Sequence, residues 1–164
     1  MIGATGLTGP IGPTGPKGAT ATILSPTTTY GFAASTSGFA VILTPIISSV
    51  NIQLPDAQIL SPGITLGSGN TTFTVSTSGL YRIAYHINLT AAILIGSQLI
   101  IDGAPNPATI INPVKAITSF SNEIELILGA GSTIALQMFS PTFLGTAALI
   151  SGGLGASVSV IRLG

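Results

Sequence analysis

Cysteine is absent from the 164 residues, which excludes disulfide staples, thiol catalysis and Cys/His metal clusters and leaves packing to stabilise whatever forms. Charge is almost as scarce. Four Lys/Arg offset four Asp/Glu, so the formal net charge is zero and 5% of residues are charged, against roughly 25% in ordinary domains. Lys17, Arg82, Lys115 and Arg162 are too scattered to track a phosphate backbone, so nucleic acid is not an expected partner. Long apolar runs are missing too. The uncharged stretch 126–161 is interrupted by Gly129, Gly131, Pro141, Gly145, Gly152 and Gly155, leaving no apolar segment of about 18 residues, and membrane insertion is not expected. Met1 leads straight into glycine-rich sequence without a signal peptide, so the expectation is a piece of a longer protein. With 46% hydrophobic residues and a mean hydropathy of +0.73, so uncharged a chain is expected to bury surface against copies of itself.

Catalytic constellations are likewise lacking. His86 is the single histidine and no G-x-S-x-G occurs, so a hydrolytic triad has no base beside a nucleophile. Glu123 and Glu125 point to one face of a strand and read as a solvated edge, while Asp56 and Asp102 are isolated. The glycine-rich segments at 67–69, 129–131 and 153–155 lack the third glycine and the lysine of a phosphate loop, and read as turns. The chain is therefore expected to be no enzyme and to carry no cofactor. Asn70-Thr71-Thr72 and Asn88-Leu89-Thr90 match the N-glycosylation pattern, which reads as chance.

What is present is periodic. Glycine recurs at Gly3, Gly6, Gly9, Gly12, Gly15 and Gly18, giving six unbroken triplets over residues 1–20. Such a period is the requirement of a collagen triple helix, where only a hydrogen side chain fits at the crowded axis, and it implies a trimer. Pro10, Pro13 and Pro16 occupy second positions and none occupies a third, which fits a bacterial or viral collagen better than an animal one. The third positions hold Thr5, Thr8, Thr14 and Thr20 beside Ile11 and Lys17. Those threonines face outward, either as O-glycosylation sites or as solvated extended-chain residues. Six triplets would extend about 55 Å, a short helix that relies on the C-terminal domain to hold its register.

Residues 21–164 read as one all-β domain, a two-sheet jelly roll, because apolar residues alternate and Gly, Pro, Asn and Ser punctuate them at sandwich spacing. The clearest strand is 79–91, with Tyr81, Ile83, Tyr85, Ile87 and Leu89 on one face and Arg82, Ala84, His86, Asn88 and Thr90 on the other. Phe73 and Val75 mark a second strand. Others are predicted at 39–44, 97–101, 109–118, 123–128, 132–139 and 156–163, with no amphipathic helix. With charged edge guards nearly missing, packing three copies together would cover the sheet edges and second faces.

Residues 66–85, LGSGNTTFTVSTSGLYRIAY, carry the spine Leu66, Phe73, Gly79-x-Tyr81-x-Ile83-x-Tyr85. This resembles the signature of the globular heads of complement's first component, within the tumour necrosis factor superfold, with Ile83 where that signature usually has Phe. The collagen triplets, the low charge and the segment LIIDGAPNPA are most similar to the BclA-type collagen-like glycoproteins of the Bacillus exosporium. That resemblance implies a homotrimeric jelly-roll head of structural role on the spore surface, capping a stalk whose N-terminal part anchors to the spore coat or to an appendage. It also implies glycosylation at Thr5, Thr8, Thr14 and Thr20, a core built on Phe73, Gly79, Tyr81, Ile83 and Tyr85, and a trimer interface at Arg82, Ala84 and His86. A calcium on the trimer axis, as in some heads of this superfold, stays open. The competing expectation is an adhesin head or phage fibre tip that binds a host surface or glycan.

Overall fold

In the computed structural model, residues 1–7, 9, 10, 12, 15, 28–44, 46–67, 69–113, 117–141 and 145–164 are described. The strict alternation after Ser78 forms one long strand, and the sheets are arranged about it. The strands in chain order are β1 (Tyr30–Ser37), β2 (Ala40–Leu43), β3 (Ser49–Asn51), β4 (Asp56–Leu60), β5 (Ile64–Leu66), β6 (Thr72–Val75), β7 (Gly79–Ile93), β8 (Gly96–Ile101), β9 (Ala104–Pro105), β10 (Ser119–Leu128), β11 (Thr133–Phe139), β12 (Gly145–Leu149) and β13 (Ser151–Arg162). All strand pairings are antiparallel.

Two sheets result. The larger has seven strands in the order β2-β12-β7-β13-β1-β4, with β10 on the free side of β7; the smaller has six, β5-β6-β11-β8-β9, with β3 also on β11. Between them Tyr81, Ile83, Tyr85 and Ile87 of β7 meet Phe73 of β6, Leu99 of β8 and Ile134, Leu136 and Met138 of β11, all essentially inaccessible to solvent. This is a jelly-roll-like sandwich in which alternate residues of each strand turn inward.

One polar tie crosses the core. Tyr85 Oη lies 2.9 Å from Ser97 Oγ on the opposite sheet and donates toward the Thr109 carbonyl at 3.3 Å. Burial pushes the Tyr85 phenol above its ordinary value of 10.0, against a smaller lowering by Ser97.

The strand expected at 109–118 is a correction. Asn106 caps a single 3-10 turn, Pro107–Thr109, accepting from the Ala108 amide at 3.0 Å; Ile111 then makes one bridge to Ser97, and 114–116 lie outside the described residues. Pro107 and Pro113 withhold the amides that a continuous ladder would need. Conversely, β1, β3, β4, β5, β9 and β12 have no counterpart among the predicted strands.

Candidate functional site

The residues that alternation turned away from the core gather on the outward face of the larger sheet. Strand register sets them in rows. Arg82 lies between Glu125 of β10 and Ile161 of β13, which continues to Tyr30 of β1. Ala84 lies between Glu123 and Ser159, continuing to Phe32 and then Ile59 of β4. His86 lies between Ser121 and Ser157, continuing to Ala34. The middle of the face is thus small and uncharged, with larger apolar groups at its margin: Ile59 is 59% exposed.

The charge on this face is one compact group. The Arg82 guanidinium donates to Glu125 Oε1 from Nη2 at 3.2 Å and Nε at 3.4 Å, and its Nε stands 3.6 Å from Glu123 Oε1. All three side chains are about half exposed, so the pairs contribute little to monomer stability. Glu123 and Glu125 sit on β10, the outermost strand, where two carboxylates discourage unplanned strand addition.

Gly79 has a local reason for its place in the motif. A Cβ there would collide with the Gly164 carbonyl and stand 2.6 Å from Arg162 Nε, because the C-terminal residues cross over the start of β7. Leu80 N donates to the Gly164 carbonyl at 2.9 Å, and Arg162 N to the Thr29 carbonyl at 2.9 Å. Both ends of the head therefore meet at the start of β7. Tyr81 Oη donates to the Thr77 carbonyl at 2.6 Å, and burial raises this phenol while the Arg162 charge lowers it less.

The structure brings Arg82, Ala84 and His86 together on one face and puts Phe73, Tyr81, Ile83 and Tyr85 in the core. Thr5 is exposed; Thr8, Thr14 and Thr20 lie outside the described residues. Tyr30, Phe32, Ile59 and Ile161 belong to the same face. Their strands reach β7 through pairing that alternation alone does not reveal, although Tyr30 and Phe32 do alternate. Among the described residues, no three His, Asp or Glu side chains gather where a metal ion could be held. No helix in the described residues is long and apolar enough to cross a membrane.

Comparison with known proteins gives two findings. The BclA C-terminal domain family matches over residues 31–164. The crystal structure of murine APRIL at pH 8.5, a tumour necrosis factor family head, superposes with a TM-score of 0.57 at 10% identity, covering 82% of this chain and 98% of that one. Among curated proteins no sequence match was found.

Proposed function

From the premise that this chain belongs to the BclA C-terminal domain family, and so is an exosporium-associated structural protein, we propose that it is the trimeric head that nucleates and caps a collagen-like filament on the spore surface. One observation carries this reading. Six glycines recur every third residue, yet a Cβ on Gly3, Gly6, Gly9, Gly12 or Gly15 would meet nothing within 4 Å among the described residues. Among the described residues nothing in the protomer calls for that period; a triple helix does.

The head supplies what a stalk this short lacks. Its N-terminal strand starts beside its C-terminus at one end of the sandwich, so three heads packed through their outward sheet faces would hold three stalks in register. Ala84, Ser157, Ser159 and Ala34 make the middle of that face shallow enough for close approach, and Tyr30, Phe32 and Ile59 supply apolar area. The exposed Thr5 and its counterparts Thr8, Thr14 and Thr20 are the glycan acceptors of the stalk. An N-terminal segment preceding the triplets attaches the filament to the coat or an appendage. The role is non-catalytic.

Light scattering on the dilute full chain tests the reading directly: the expected mass is three times 16.3 kDa. Arg82→Glu or His86→Asp should shift the assembly toward protomer with the β-rich far-ultraviolet spectrum retained. A stable 16.3 kDa species for the parent chain would overturn the trimer.

A further inference from the structure

Histidine occurs once in the chain, and strand register puts it in the middle of the outward face. His86 pairs with Ser121 of β10 on one side and Ser157 of β13 on the other, and the same row continues to Ala34 of β1. The imidazole is exposed, while Ser157 and Ala34 are buried. Along β7 its outward neighbours are Ala84 and Asn88, and the Asn88 side-chain amide is spent on the Leu154 carbonyl at 2.9 Å. His86 thus rises from a row of small side chains, where a facing surface meets it first.

Little on the face answers a positive charge at this point. On β7 the nearest charged residue on the same side is Arg82, itself a cation, two rows toward the termini. On β10 it is Glu123, opposite Ala84 in the adjoining row, with its Oε1 3.6 Å from Arg82 Nε; Glu125 lies one row farther and accepts from the same guanidinium. The outward residues of β13 and β1 alongside, Ser157, Ser159, Phe32 and Ala34, are uncharged. On β4, Asp56 pairs with Ala34, but its carboxylate accepts from Thr36 and Ser37. Water therefore hydrates a protonated imidazole in the separate protomer. Under a second copy that water is lost, and serine hydroxyls and alanine methyls bring no countercharge in its place.

We propose that His86 is an acid-operated release for the assembly face: uncharged, it is covered by a second copy of this chain, and protonated, it drives the copies apart. This rests on the outward-face trimer proposed above and adds how that contact is regulated. Histidine is the one side chain that ordinarily changes charge between pH 5 and 8. The separate protomer accepts a proton that the closed face excludes, so the protomer gains on the assembly as pH falls. A trimer carries three such imidazoles and responds to acid through each, whereas carboxylates and guanidinium groups ordinarily keep their charge through this range.

The test follows the mass of the full chain by light scattering through serial dilution at about pH 7 and about pH 5, with far-ultraviolet spectra to show that the sandwich stays folded. For the parent, the concentration at half dissociation should rise at least about tenfold in acid. His86→Gln, which takes up no proton, should dissociate at the same concentration at both pH values. His86→Lys, charged at both, should dissociate at about pH 7 as readily as the parent does in acid. A parent trimer equally resistant to dilution at both pH values overturns the release and leaves the trimer standing, as does an acid response retained in His86→Gln. A parent trimer that tightens in acid also overturns it and pairs His86 with a carboxylate of another copy. A parent that is a protomer at both pH values, even when concentrated, overturns the trimer itself and the release with it.

Discussion

At the residue scale, the scarcity of charge makes each remaining polar side chain specific in its task. Asp56 begins an edge strand and ties it to the neighbouring one: its Oδ2 accepts from the Thr36 amide at 2.8 Å, the Thr36 hydroxyl at 2.7 Å and the Ser37 hydroxyl at 3.2 Å. The hydrogen bonds from Thr36, side chain first and then amide, hold this carboxyl below its ordinary value of 3.8. A carboxyl lowered in the folded state favours folding above its unfolded value, and that contribution fades as pH falls through the folded value. Thermal midpoints measured downward from pH 5 should therefore fall more steeply in the parent than in Asp56→Asn; parallel curves would refute the assignment. In the core, Tyr85→Phe removes the hydroxyl that faces both Ser97 and the Thr109 carbonyl, leaving buried polar groups short of a partner. Denaturant unfolding should show a loss of about 1–3 kcal/mol. Phe73→Ala, which empties a fully buried site, should lose about 3–5 kcal/mol.

At the element scale, legibility tracked side-chain size. β7 and β11 could be read because large aliphatic or aromatic groups alternate with polar ones, and even the inward set of β10, Ile124, Leu126 and Leu128, was plain in the pattern. β1 escaped because its inward residues are Gly31, Ala33 and Ser35, so that its buried face carries almost no hydrophobic signal. β12, GTAAL, hid in the same way, and β4 is an edge strand whose residues are mostly exposed. Around Ile110 and Ile111 the β-branched residues suggested a strand that the neighbouring prolines prevent. The outward face was half legible for a related reason: alternation settles the outward parity of Arg82, Ala84 and His86, whereas only topology brings Tyr30, Phe32 and Ile59 beside them. The free edge of β10 gives an element-scale prediction. Ten residues pair with β7 on one side, and Ile127 is 86% exposed, so Glu123 and Glu125 are what keep the other side from templating further strands. Glu123→Val/Glu125→Val should produce particles larger than the parent assembly, visible as a concentration-dependent rise in scattered light; a mass equal to the parent's would show that the edge is covered in another way.

At the scale of the whole molecule, two parts of different cooperativity share one chain. The sandwich closes its own core from residues 33 to 160, and Met1, Ile2 and Leu7 of the triplet segment are fully exposed. On the proposed stalked-trimer reading the head should not draw on the triplets for folding, while so few triplets should depend on the head for register. Removing residues 1–20 should accordingly leave the head's thermal midpoint within about 2 °C, the change that a few tenths of a kcal/mol would make in a domain of this size. Its mass should remain three times that of the shortened protomer. Gly9→Ala in the full chain should act in the opposite sense. In the proposed triple helix it would place a methyl group on the axis, so the polyproline-type circular dichroism band and its low-temperature melting should disappear, while the later β-sheet transition stays where it was. If the head transition moves with the triplet variant, the two parts are one cooperative unit and the head is no independent cap.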